Sequence, residues 1–207
     1  VDASRCEECY GTDTTVHPGD GECPHSRDPN KVIYASSPDR GLLPLLENWS
    51  TIRKAVPTAT LDIYYSWDGF RRQAQTDATA KALLTRLEGF LELHKDHGVR
   101  FHGGVDHATL HAAYRRAGVW AYFVPTFLEI SCISAMKAQA SGCWPVVSNV
   151  GALPETTRFG GTICKTVAEF VDWVITDLKD PPTFEMRKSM SDQAREAFSW
   201  DKTAERF

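Results

Sequence analysis

From Lys31 onward the chain switches repeatedly between two hydrophobic rhythms. Short apolar runs, KVIYASS, TLDIYYS, VRFHGG, VWAYFV, CWPVVSN and GGTIC, are the length of strands. Between them lie segments whose apolar positions recur every three or four residues: GLLPLLENWSTIRKAV, TAKALLTRLEGFLELHKDHG, DHATLHAAYRRAG and AEFVDWVITDLKD. The stretch from Glu129 to Gly142 reads as a further helix of small residues opened by the carboxylate, and Gly98 and Gly142 are stop signals. ALPET reads as a short turn, and the tail from Pro182 to Phe207 as helical. Strands and helices in strict alternation predict a parallel sheet with helices on both faces. Runs such as VIYA and WAYFV are apolar on both faces, as the buried strands of such a sheet must be. The fold class expected is therefore α/β: a single Rossmann-like parallel sheet.

Residues 1–30 have no apolar period and are rich in Asp, Glu, Gly, Pro, Thr and Cys, which predicts an irregular segment ahead of one domain over 31–207. Cys6, Cys9, Cys23 and His25 offer three thiolates and an imidazole to zinc. The second pair has one intervening residue and no second knuckle follows, so the segment reads as metal-free. At 207 residues and 42% hydrophobic content the chain buries a sizeable core. A net charge of −4 gives no footprint for nucleic acid or an anionic membrane. The longest apolar stretch, Val119 to Ile130, is interrupted by Pro125 and Glu129 and is too short to span a bilayer. No charged-then-apolar leader opens the chain. Cys132, Cys143 and Cys164 fall in core-like runs, where free thiols are common, so a reduced, cytoplasmic protein is expected. The Asn48-Trp49-Ser50 sequon falls inside a predicted helix and reads as chance.

In open α/β sheets a ligand lies beyond the carboxyl ends of the strands. Three such ends carry polar chemistry. Ser36-Ser37-Pro38-Asp39-Arg40-Gly41 places a guanidinium beside helical N–H groups, which suits a diphosphate; the alternative is a helix cap with a solvated arginine. His102-Gly103-Gly104-Val105 lets a flat group approach the backbone, or is simply a tight turn. Glu129 is followed by the small residues Ser131, Cys132, Ser134 and Ala135, which leave room at the helix amides; alternatively it is a first-turn acid complementing the helix dipole. The sequence contains no GxxxxGK[ST], no GxGxxG at the first strand, no GxSxG and no HExxH.

Taken in order, SSPDRGLLPLL, GVRFHGGVDHATLHAAYRRAGVWAYFVPT, EISCISAMKAQASGCWPVVSNVGALPE and FSWDKTAERF resemble the C-terminal, donor-binding half of retaining GT-B glycosyltransferases, family 4. The resemblance implies a phosphate-binding turn at Ser37 with Arg40 on the donor diphosphate. It implies Glu129 on the sugar hydroxyls, the backbone of Ile130, Ser131 and Cys132 facing sugar or phosphate, and Gly104 and Val105 along the base. Glu129 and Arg40 are then the implied catalytic residues, transferring a hexose from a nucleoside-diphosphate sugar with retention and without metal. Lys137 stands where the family has a second, ribose-binding glutamate; an ammonium only donates, so its role there is changed. The family's acceptor-binding domain has no counterpart in the thirty irregular residues before Lys31, so a separate or missing acceptor half is expected, with an apolar face turned to it at Trp67, Phe127 and Leu128. The rival readings are a non-catalytic nucleotide-sugar-binding module and an epimerase-like relative.

Overall fold

The computed structural model describes residues 27–124, 129–199 and 204. The strands are β1 (Asp28–Tyr34), β2 (Thr60–Tyr64), β3 (Val99–Gly103), β4 (Ala117–Tyr122), β5 (Trp144–Ser148) and β6 (Thr162–Cys164). The helices are α1 (Leu42–Glu47), α2 (Trp49–Ala55), α3 (Asp68–Gln73), α4 (Ala78–His94), α5 (His107–Arg116), α6 (Ile133–Ala140), α7 (Leu153–Thr156), α8 (Val167–Lys179) and α9 (Phe184–Ala197). The strands form one sheet in the order β3-β2-β1-β4-β5-β6, every neighbouring pair parallel. This is the doubly wound order, and it reverses between β1 and β4. Each of the six apolar runs is a strand, as the alternation predicts.

Burial follows position in the sheet. Val32, Ile33 and Tyr34 of β1 and every residue of β4 are buried, whereas in the edge strand β3 only Val99 is. Helix entries are set by short polar side chains: Asp77 accepts from the N–H groups of Thr79 and Ala80 at α4, Asp106 from Thr109 at α5, and Thr166 from Glu169 at α8. Cys132, Cys143 and Cys164 are free and buried.

The structure departs from the sequence reading in particular places. β1 starts at Asp28, inside the segment read as irregular, and Arg27 before it is anchored through its guanidinium. The first helix is two. Asn48 Nδ2 donates to the Pro44 carbonyl at 2.8 Å and its backbone N–H turns to Leu46, so the regular ladder breaks there. Trp49 of the sequon is fully buried and donates to the His97 carbonyl. α3 was not expected: it has six residues and one buried side chain, Phe70, too short for a helical period to register. Trp67 is not part of an exposed face; it is buried against Phe101 with ring centroids 4.6 Å apart. Phe127, Leu128 and the cysteines and histidine of the zinc reading lie outside the described residues, as does most of FSWDKTAERF. Among the described residues no helix is long and apolar enough to cross a membrane.

At the amino ends of the strands the half-buried Arg27 and the buried Arg187 clamp the chain. Arg27 donates to the carbonyls of Ala117 and Ser141, and also to Tyr114 at 3.0 Å. Arg187 donates to the next carbonyl along in each segment, Gly118 at 2.7 Å and Gly142 at 3.2 Å, and to Pro182 at 3.1 Å. The start of β4 and the turn after α6 are thus held side by side with the entry to α9.

His94 makes the fold sensitive to acid. It is buried on α4, with Nε2 3.1 Å from the Leu46 carbonyl of α1 and its ring against Phe90 and His97. Burial holds its pKa below the usual 6.5, the Leu46 contact opposing and His97 adding to the shift. Because the folded value is the lower one, the stabilisation is present above pH 6.5 and is lost as the pH falls from there toward the folded value. The stability gap between wild type and His94→Gln, measured by urea denaturation, is expected to narrow from pH 7.5 to 5.5. A gap that widens on acidification would show that His94 is stabilised as the cation.

Candidate functional site

β1 and β4 lie side by side at the point where strand order reverses, and each ends in a tyrosine. Past Tyr34 the chain makes the turn Ser36–Gly41, closed by an Arg40 N–H to Ser37 carbonyl bond of 3.0 Å. The Tyr34 hydroxyl lies 2.6 Å from the Ser37 carbonyl and 2.9 Å from that of Arg40, bracing the turn from inside. Gly41 has φ +93°, and a Cβ there would sit 2.3 Å from the Phe123 carbonyl oxygen. The turn can therefore lie against the end of β4 only with glycine at this position.

Past β4, Tyr122 donates to Glu129 Oε2 at 2.7 Å, and Arg40 Nη1 lies 3.8 Å from the same oxygen. The rings of Tyr34 and Tyr122 stack at 6.1 Å, so the two braces support one another. Burial, above all, raises both phenols well beyond their usual range, so each remains a hydroxyl donor. Glu129 is buried, at 8% exposure, while the Arg40 side chain is 47% exposed. Solvent screening makes their attraction a small term in stability. The backbone of Glu129 is also gripped: its carbonyl accepts from Ala152 N–H at 2.6 Å, and Gly151, at φ +53°, leaves no room for a Cβ beside it.

Glu129 does not open the helix. α6 starts at Ile133, with Cys132 in the cap position and no capping side chain. Glu129 and Lys137, eight positions apart, therefore do not share a helical face, because Ile130, Ser131 and Cys132 between them precede the helix. Ile130 and Ser131 are exposed on that stretch and Cys132 is buried. Burial pushes the Cys132 thiol up to about 12, which removes it as a nucleophile. Ser134 Oγ donates to the Ala35 carbonyl at 2.9 Å and pins α6 to the end of β1.

Beside this pair a cavity of about 800 Å³ opens at the carboxyl ends of β1, β2 and β3, a size that holds a nucleotide-scale ligand. Its wall includes Ser37, Tyr64, Gly104, Val105 and Lys137. Gly104 lets the β3 end approach Ser66, whose Cβ would be 3.0 Å from a side chain there. Lys137 Nζ lies 3.5 Å from His107 Nδ1, on the same wall. The expected residues are thus gathered at one end of the sheet in two groups. Ser37, Gly104, Val105 and Lys137 face the cavity, and Arg40 and Glu129 meet at the switch point. Tyr34, Tyr122, Gly151 and His107 were not foreseen. A tyrosine at the end of each of two strands was the available signal, but it acquires meaning only once β1 and β4 are known to be neighbours.

The family model for glycosyl transferases group 1 matches residues 80–197, more than half of the chain. No curated protein sequence matches closely enough to count as a relative. Among solved structures, sucrose-phosphate synthase from Thermosynechococcus elongatus superposes with a TM-score of 0.65 at 23% identity, over 85% of this chain and 43% of that one. An α,α-trehalose-phosphate synthase (UDP-forming) from Burkholderia vietnamiensis gives 0.63 at 12% identity, over 84% and 42%. The pneumococcal O-GlcNAc transferase GtfA, solved with UDP and GlcNAc, gives 0.57 at 19% identity, over 87% and 36%. At these identities the likeness is one of fold, and the chain spans less than half the length of each of these structures. The chain belongs to the glycosyl transferases group 1, and its sheet is one Rossmann-like half of a GT-B fold.

Proposed function

We propose that this chain is the donor-binding half of a glycosyltransferase, holding a nucleoside-diphosphate hexose for transfer with retention of configuration. The observation that carries the reading is the state of Glu129. Tyr122 and Arg40 both converge on its Oε2, so a buried carboxylate at the switch point keeps Oε1 without a hydrogen-bond partner among the described residues. An oxygen held in this way accepts from sugar hydroxyls. Arg40 and the first-turn N–H groups of α6 would take the diphosphate and the charge that grows on it as the glycosidic bond breaks. Fixed cationic and backbone donors then serve where other enzymes use a metal. Gly104 and Val105 would lie along the base. GtfA was solved with UDP and GlcNAc, and the trehalose-phosphate synthase is UDP-forming, which makes a nucleotide sugar the natural donor class. The acceptor side would come from architecture that these 207 residues do not span. Three buried free thiols suit a reducing compartment such as the cytoplasm.

A second reading, favoured by the Tyr122 contact, is that Glu129 only braces the loop in a non-catalytic nucleotide-sugar-binding module. Calorimetry separates the two. Arg40→Ala is expected to weaken a bare nucleoside diphosphate about 10-fold or more, because a charge-assisted bond contributes about 1.5–3 kcal/mol. Glu129→Ala is expected to leave the bare nucleotide unchanged and to weaken only the nucleotide sugar. Equal losses for both ligands in Glu129→Ala would make the residue a brace.

A further inference from the structure

We propose that Lys137 and His107 form an anion-binding corner of the cavity, and that the preferred ligand carries a phosphate-monoester group there in addition to the diphosphate at Arg40. This inference rests on the donor reading above. The two side chains come from different helices and meet on the cavity wall, Nζ to Nδ1 at 3.5 Å, and neither contacts a carboxylate among the described residues. The acids nearby are committed to their own loops. Asp106, next to His107, is occupied by the N–H and hydroxyl of Thr109; Asp39 is bonded by Ser37 Oγ, and Asp68 by Ser66 Oγ at 2.8 Å.

The chemistry of the corner is one-sided. With the ammonium donating toward Nδ1, the imidazole keeps its Nε2–H as a donor, so the pair offers N–H groups and no acceptor. Such a corner cannot receive the protons of a neutral diol, but it matches the oxygens of a phosphate. The start of α5 adds to the pull on an anion. His107 is the first residue of α5, where the helix dipole is positive, and His111 lies one turn further on. Burial, then Lys137, Arg115 and His107, hold the His111 pKa below its usual value, as a run of positive neighbours does. With the diphosphate at Arg40 and the base along Gly104 and Val105, as in the donor reading, the part of the nucleotide that lies between them and reaches this corner is the ribose. The ligand class is therefore a nucleoside 5′-diphosphate phosphorylated on its ribose, or the sugar ester of one.

The test is calorimetry of the chain with matched pairs: the 5′-diphosphates of adenosine, guanosine and uridine, each against its 2′- and 3′-phosphorylated form. Wild type is expected to bind a phosphorylated member about 10- to 100-fold more tightly than its partner. Lys137→Gln should abolish that preference, Lys137→Glu should reverse it, and His107→Gln should reduce it without abolishing it. Thermal melts of each variant confirm folding; neither side chain is buried, and the His107 variant carries the test if either lysine variant fails to fold. Equal binding of paired ligands by wild type, or a preference that survives in Lys137→Gln, overturns the inference while the donor reading stands. Failure to bind any of the nucleotides or their sugars overturns both.

Discussion

Supplied with a nucleotide sugar and a panel of acceptors, the 207-residue chain is expected to bind the donor and transfer it at no more than a trace rate. On the proposed reading the groups gathered at the switch point, Arg40, Glu129 and the start of α6, all serve the donor. They would supply ground-state binding and electrostatic relief of the leaving diphosphate, and nothing among them would orient a second reactant. Fixing two reactants in an attack geometry is worth roughly 7–11 kcal/mol of barrier, a factor of about 10⁵–10⁸ in rate. The structures it resembles devote more than half their length to parts outside the shared region. The experiment follows release of nucleoside diphosphate from the nucleotide sugar, with and without acceptors, alongside the binding constant of the same sample. Tight binding with acceptor-independent, very slow release is the expected pair. Acceptor-dependent turnover at about 1 per second or faster, within the ordinary enzymatic range, would place both substrates on this one domain.

The sheet was legible in the sequence because a buried parallel strand has no polar face, and VIYA and WAYFV show none. Strand order was not, since nothing local in Tyr34 or Tyr122 says that the two residues stack across neighbouring strands. Arg40 and Glu129 were identifiable as residues at strand ends, and their proximity followed from the doubly wound pattern. The start of α6 was misplaced because Glu129 followed by small residues mimics a first helical turn. In the fold, the Gly151–Ala152 backbone holds Glu129 in a loop, a contact contributed from beyond β5. Lys137 stood out by its type, yet its partner His107 lies thirty residues earlier on another helix and was invisible to any periodicity. Short elements fared worst: α3 buries one side chain, and the α1–α2 break depends on a single asparagine amide.

Replacing Arg187 by methionine is expected to destabilise the fold by about 3–5 kcal/mol, the range for stripping one partner from a buried charged contact. Methionine preserves most of the volume, so the cost reports the lost hydrogen bonds together with the lost attraction to the buried Asp177 carboxylate. Arg187 is 7% exposed, and its guanidinium is the side-chain donor to the carbonyls of Gly118, Gly142 and Pro182. Buried carbonyls left without a donor cost about 1–3 kcal/mol each, so those of Gly118 and Gly142, with the half-buried Pro182 carbonyl, reach the stated range even with partial rescue by water. Lysine restores charge but not the fork that spans separate carbonyls, and Arg187→Lys should therefore fall between wild type and Arg187→Met. For a chain of this size the methionine variant should melt lower by about 6–20 °C. The clamp lies at the amino ends of the strands, away from Arg40, Glu129 and the cavity, so nucleotide affinity of the folded fraction should be unchanged. Urea denaturation read by tryptophan fluorescence, with calorimetry at low temperature, measures both quantities on the same protein. A loss below about 1 kcal/mol, the ordinary effect of a surface substitution, would mean that the Arg27 bonds to Ala117 and Ser141, with those of Ser191 and Arg195 to the Ala140 carbonyl, hold β4, α6 and α9 without Arg187.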